Sequence, residues 1–138
     1  MTPLSERFAT EAERLAGSPF RLHGRDPRTG LDCVGLAMIA LRRAGGSVDA
    51  PSDYALRNRK LHGHLSSASR TGFDRVEGET LRGDPLMLRP GPSQHHLVIA
   101  LGEKRFVHAH AGLRRVVLQT GLASWPLLQH WRLSPRSE

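Results

Sequence analysis

The chain has 138 residues, 38% of them hydrophobic, and a formal net charge of +7. That length suits a single domain, 1–138, with one modest core. No run of about 18 apolar residues occurs, which excludes a membrane-inserted helix. With two Trp, four Phe and one Tyr, the chain lacks the stacking surface of a nucleic-acid binder. The positive charge is carried almost wholly by arginine, Lys60 and Lys104 being the only lysines, and it favours an acidic partner.

The first element is a helix over 3–16. Leu4, Phe8, Ala12 and Leu15 fall on one face at helical spacing. Thr2 or Ser5 is the expected cap and Gly17 the stop. The N-terminal stretch is charged and has no apolar h-region, so it is not a Sec signal peptide, and synthesis and folding in the cytoplasm are expected. A loop rich in Gly, Pro and Arg follows. A second helix runs from about Cys33 to Arg43 and is apolar nearly all round, the mark of a buried helix. Arg42 and Arg43 suit its C-terminal dipole, and Gly45 and Gly46 end it.

Residues 47–82 are polar and punctuated, with a short helix expected near 53–65 and a role as peripheral or substrate-shaping structure. From Asp84 the texture turns to strand: 85–90, 95–101, 105–111, 114–119, and a turn with a last strand within 124–133. Gly102-Glu103-Lys104 signals a hairpin. Helices followed by strands make the fold class α+β with an antiparallel sheet.

Cys33 is the single cysteine and stands at the N-cap or first position of the second helix. Unpaired N–H groups and the helix dipole there favour an anion and lower a thiol pKa. A nucleophilic thiol needs a base and the base an orienting partner, roles that histidine fills. His95, His96, His108 and His110 lie on the two strands of one hairpin. A turn centred on Gly102 sets His96 directly opposite His108, within reach of a hydrogen bond. A two-residue turn at Gly102-Glu103 pairs residue 96 with 109 instead. His110 shares the His108 face and competes for the third role. His108-x-His110 with His95 or His96 also offers zinc donors, but no HExxH or familiar carboxylate spacing accompanies them. The expectation is no metal and no cofactor.

These residues resemble the NlpC/P60 family of papain-like cysteine peptidases. The likeness rests on Asp32-Cys33-Val34-Gly35 at a helix start, the preceding loop Ser18–Gly24, Gly83-Asp84-Pro85-Leu86, and the strand–turn–strand His96–Ala109. It covers about 15–45 and 83–118. It implies a papain-like fold with the nucleophile at a helix N-terminus packed on an antiparallel sheet. It also implies a thiol protease that hydrolyses peptidoglycan stem peptides, often between D-γ-glutamyl and a diamino acid, through a thioester. By this likeness Cys33 is the nucleophile, His96 the base and His108 its orienting partner. Phe20 stands where the family has a tyrosine that serves the oxyanion. A phenyl ring donates no hydrogen bond, and losing one such donor costs about 10²–10³ in kcat. His23 and Tyr54 are the substitute donors, with Asp32, His95 and His110 as further substrate or oxyanion candidates. The "GRDP-TGLDCVGL" loop is similar to the phage-tail and gene-transfer-agent branch. That implies tail-protein partners and action at the periplasm or cell wall as part of a phage-like particle. The rival readings are a catalytically inactive wall-binding or structural tail module, and a thiol acyltransferase or amidase of the same fold.

Overall fold

A computed structural model describes residues 2–46, 72–91, 95–121 and 125–134. The elements follow in the order α1 (Leu4–Arg14), β1 (Arg25–Asp26), β2 (Gly30–Leu31), α2 (Cys33–Arg43), β3 (Phe73–Arg75), β4 (Pro85–Leu88), β5 (His96–Gly102), β6 (Arg105–His110), β7 (Arg115–Thr120) and β8 (Leu127–Leu133). The helices are those the periodicity predicts. The expected caps of α1 are corrected: its N-cap is Pro3, and neither Thr2 nor Ser5 caps it with a side chain. The helix N-cap position proper to α2 is Asp32, so Cys33 is its first helical residue. The short helix expected near 53–65 lies outside the described residues.

β1 and β2 form a small antiparallel ribbon, and the other six strands form one sheet in the order β3-β8-β4-β5-β6-β7. The sheet is antiparallel throughout. It is not a simple meander, because β8 returns from beyond β7 to pair with both β4 and β3. α1 packs on α2, and both lie against the sheet. Phe8, Leu36, Ile39, Ile99, Val107 and Val116 share the main core. Leu86, Leu88 and Val98, with Phe106 and Trp125, make a smaller cluster. Side chains alternate faces along a strand, so Val98 and its cluster lie on the sheet face away from Ile99 and the helices. Among the described residues no helix is long and apolar enough to cross a membrane.

Two polar staples hold the layers. Arg82 donates to Glu6, to Thr10 and to the carbonyl of Leu101, tying α1 to β5. Asp84 is 1% exposed; its carboxylate takes two hydrogen bonds from Arg132, one from the Leu81 N–H, and lies 2.7 Å from His130 Nε2. A buried carboxylate is tolerated only when its lone pairs are filled in this way.

The β5–β6 turn corrects both registers read from the sequence. Glu103 and Lys104 have φ of 55° and 62°, the left-handed pair of a two-residue hairpin turn. The strands close as Gly102↔Arg105 and then, after a bulge, run Ala100↔Phe106 and Ile99↔Val107. Carried on, that register sets Val98 opposite His108. His96 is thus diagonal to His108, not directly opposite it, and the pair still shares a face.

Candidate functional site

The loop before Cys33 is pinned to the edge of the sheet. Gly17 and Phe20 donate to the carbonyls of Val116 and Arg114, and Val116 donates back to Ser18. Phe20 also bridges to Leu31. The chain then turns through His23, whose φ is 61°, and reaches Asp32. Asp32 Oδ1 accepts from the Gly35 N–H and from Arg25, while Oδ2 accepts from the His23 N–H. One buried carboxylate therefore caps α2 and fastens the loop to it. Gly35 is required because a Cβ there runs into the carbonyl oxygen of Gly24.

This places Cys33 beside the start of β5. The Ala100 N–H is given to the Asp84 carbonyl on the β4 side. Amide directions alternate along a strand, so the Leu97 N–H points toward β6, beyond the last paired residues, Ile99 and Val107. That N–H and the Val34 N–H face the Cys33 sulfur and favour its thiolate. Cys33 is thus seated one residue along β5 from His96.

His96 Nε2 lies 2.8 Å from His108 Nδ1, and His108 Nε2 lies 2.7 Å from Gln119 Oε1. His108 is wholly buried. The Trp125 ring stands edge-on to His96 at 6.0 Å, and the His110 ring is tilted against His108 at 5.6 Å. His110 Nδ1 accepts the Leu113 N–H. His96, His108, His110 and Trp125 line a cavity of about 390 Å³ that also takes in Phe20, His23, His95 and Cys33. His95 Nδ1 is buried there without a hydrogen-bond partner among the described residues.

Of the residues singled out in the sequence, Cys33, His96, His108, Phe20, His23, Asp32, His95 and His110 meet at this cavity. Tyr54 lies outside the described residues. Asp32 is committed to the cap and to Arg25. The sequence missed Gln119 and Trp125. Gln119 is a neutral amide on an ordinary alternating strand, and only the pairing of β6 with β7 brings it to His108. Trp125, one of two tryptophans, precedes a proline, and its composition signal said nothing about location. Among the described residues no three His, Cys, Asp or Glu side chains are arranged to hold a metal ion.

Burial sets the electrostatics. It pushes the Cys33 thiol up to about 11, with the Asp32 carboxylate adding to the rise and the Leu97 and Val34 N–H groups and Arg25 opposing it. This corrects the expected lowering: desolvation and an adjacent carboxylate outweigh the stabilisation of a thiolate at a helix start. Burial likewise takes His96 down to about 4, helped by His108 and His110. It lowers His108 too, against the hydrogen bond to Gln119. Both shifts favour the neutral forms, a thiol at Cys33 and an imidazole at His96.

The family model for NlpC/P60 matches residues 17–132. The chain belongs to the NlpC/P60 family. Among solved structures, NlpC2 from Trichomonas vaginalis matches with a TM-score of 0.70 at 18% identity, over 96% of this chain and 49% of that one. The peptidoglycan hydrolase RipB from Mycobacterium tuberculosis matches with a TM-score of 0.66 at 20% identity, over 93% of this chain and 63% of that one. RipD from the same organism, described as a non-catalytic NlpC/p60 domain protein adapted to peptidoglycan binding, matches with a TM-score of 0.62 at 16% identity, over 95% and 97%. This chain therefore spans about half the length of NlpC2. A comparison with curated proteins finds no match. The α+β fold expected from the sequence is the fold of these structures.

Proposed function

We propose that this NlpC/P60 chain is a cysteine peptidase that hydrolyses an amide bond of peptidoglycan stem peptides, of the D-γ-glutamyl–diamino acid type. The observation that carries this reading is the junction of Cys33, at the first position of α2, with the hydrogen-bonded pair His96–His108 in one cavity. His96 takes the thiol proton as the Cys33 sulfur attacks the amide carbonyl, and the new S–C bond gives a tetrahedral oxyanion. The Cys33 N–H, which has no acceptor within the helix at this position, contributes to holding that oxyanion. His96 then passes its proton to the departing amine as the C–N bond breaks. In the second half it draws a proton from water, which attacks the thioester and returns the thiol.

A second reading, a wall-binding module without turnover, is favoured by one specific observation. Phe20 lines the cavity where the family's tyrosine would donate. The experiment that separates the two is incubation with defined muropeptides, read by mass spectrometry beside Cys33→Ala. One water added across a stem-peptide bond by the wild type alone establishes the peptidase and names the bond. Folded protein with no product over a range of wall chemistries leaves the module. We place its action at the cell wall within a phage-like or gene-transfer particle, on the residue pattern of the loop before Cys33. Absence of the chain from such particles, purified from a producing strain, would refute that placement.

A further inference from the structure

We infer that Gln119 is a positioning residue which, acting through His108, decides which nitrogen of His96 is bare and free to take the Cys33 proton. The inference rests on the peptidase reading above. In the β6–β7 ladder His108 faces Val117 and Phe106 faces Gln119, so Gln119 is diagonal to His108 on the same face of the sheet. His96 approaches His108 from the other side, on β5. Three neighbouring strands thus carry one line of hydrogen bonds, His96 to His108 to Gln119, at 2.8 and 2.7 Å.

The direction of this line follows from chemistry. An amide oxygen only accepts, so His108 must carry its proton on Nε2. A neutral His108 then has a bare Nδ1, which only accepts. His96 must accordingly donate from Nε2, which leaves its Nδ1 without a proton. That is the tautomer a general base needs. With the Gln119 amide reversed, its NH₂ would donate to His108 Nε2. His108 would then carry its proton on Nδ1 and donate to His96 Nε2, and the remaining proton of a neutral His96 would sit on Nδ1, where it blocks proton abstraction. His108 is 0% exposed, so bulk water does not make this choice. His110 does not make it either, since both ring nitrogens of His108 are already engaged, by His96 and by Gln119.

The test combines histidine ¹⁵N NMR with kinetics on the full chain. Long-range ¹H–¹⁵N correlations are expected to show His108 and His96 of the wild type both protonated on Nε2. In Gln119→Met, of similar length but without the amide, the Nε2–H form of His108 is expected to lose its dominance. In that variant kcat should fall about tenfold or more with KM little changed, the signature of a lost orienting bond. Gln119→Glu, which offers only acceptors, should keep both the tautomer and kcat within about threefold of the wild type. An unchanged His108 tautomer in Gln119→Met overturns the inference whatever the activity, as does a wild-type His108 protonated on Nδ1. A switched tautomer with unchanged kcat overturns its catalytic consequence. The spectra need no substrate. Wild-type protein that shows the assigned tautomers but no hydrolysis would refute the peptidase reading and uphold the hydrogen-bond line.

Discussion

His96 and His108 meet diagonally across β5 and β6, Nε2 to Nδ1 at 2.8 Å, and not as a directly opposed pair. His96 opens β5 beside the Leu97 N–H that faces the Cys33 sulfur, whereas His108 lies one strand further on, bonded to Gln119. Under the proposed peptidase reading, the offset separates the base, His96, from its orienting partner, His108.

The separation predicts unequal losses on substitution. Cys33→Ala removes the nucleophile and should abolish hydrolysis of a muropeptide. His96→Ala should lower kcat by roughly 10²–10⁴, the usual worth of a general acid–base group. His108→Ala should lose less, because a partner that orients is not itself consumed in the reaction. Steady-state kinetics on the three variants would check the order, and a His108→Ala loss larger than that of His96→Ala would reverse the assignment.

The pH profile follows from the position of His96 near 4 and Cys33 near 11. The base is competent while neutral, so kcat/KM should hold as pH falls past 6.5 and decline only near pH 4. The neutral thiol persists up to the alkaline end. A pH–rate profile whose acidic limb lies at or above 6.5 would contradict this. Stability should move in the same window. An unfolded histidine takes up its proton near 6.5 and the folded His96 only near 4. Unfolding is therefore favoured progressively as pH falls between those values, and stability on this account is whole above 6.5. Urea midpoints at pH 7 and 4.5 should differ less in His96→Gln than in the wild type.

Asp32 acts on both the fold and the thiol. Asp32→Ala takes away the N-cap of α2, worth about 1–2 kcal/mol, and also removes the ion pair of Arg25 and the acceptor of the His23 N–H. Denaturation should show a loss of at least about 2 kcal/mol. Asp32→Asn keeps an oxygen for Gly35 but removes the charge that raises Cys33. Its thiol should ionise at lower pH than that of the wild type. The pH dependence of alkylation by iodoacetamide reads this directly, and an unmoved or higher midpoint would show that burial alone sets the thiol.

The buried carboxylate of Asp84 should matter more for stability than any surface ion pair. Asp84→Ala leaves His130 without its partner in the interior and Arg132 with the Glu79 carbonyl as its one remaining partner among the described residues. Leaving a buried polar group without its partner costs about 1–3 kcal/mol, and His130 and the Leu81 N–H both lose theirs. Arg14→Ala, which breaks an exposed helix pair with Glu11, should cost no more than about 0.5 kcal/mol. Equal urea midpoints for the two variants would contradict the assignment of Asp84 as a structural anchor.

The sequence by itself determined the two helices, the strands from Pro85 onward, and the cysteine and histidines that gather at the cavity. α2 is legible because eleven apolar-patterned residues follow Asp32 and end at glycines. Cys33, His96 and His108 stood out because their residue types, not their surroundings, announce acid–base and nucleophilic chemistry. What required the tertiary structure was everything set by long-range pairing. The insertion of β8 between β3 and β4 joins residues far apart in sequence, and no local period encodes it. The hairpin register turned on two non-glycine residues, Glu103 and Lys104, taking left-handed φ, against their local preference. Gln119 carries no signal until β7 is laid beside β6. The thiol shows the same division most plainly. Its place at a helix start is local and readable, whereas its ionisation is governed by how much water the surrounding fold excludes and by the carboxylate that the fold sets beside it.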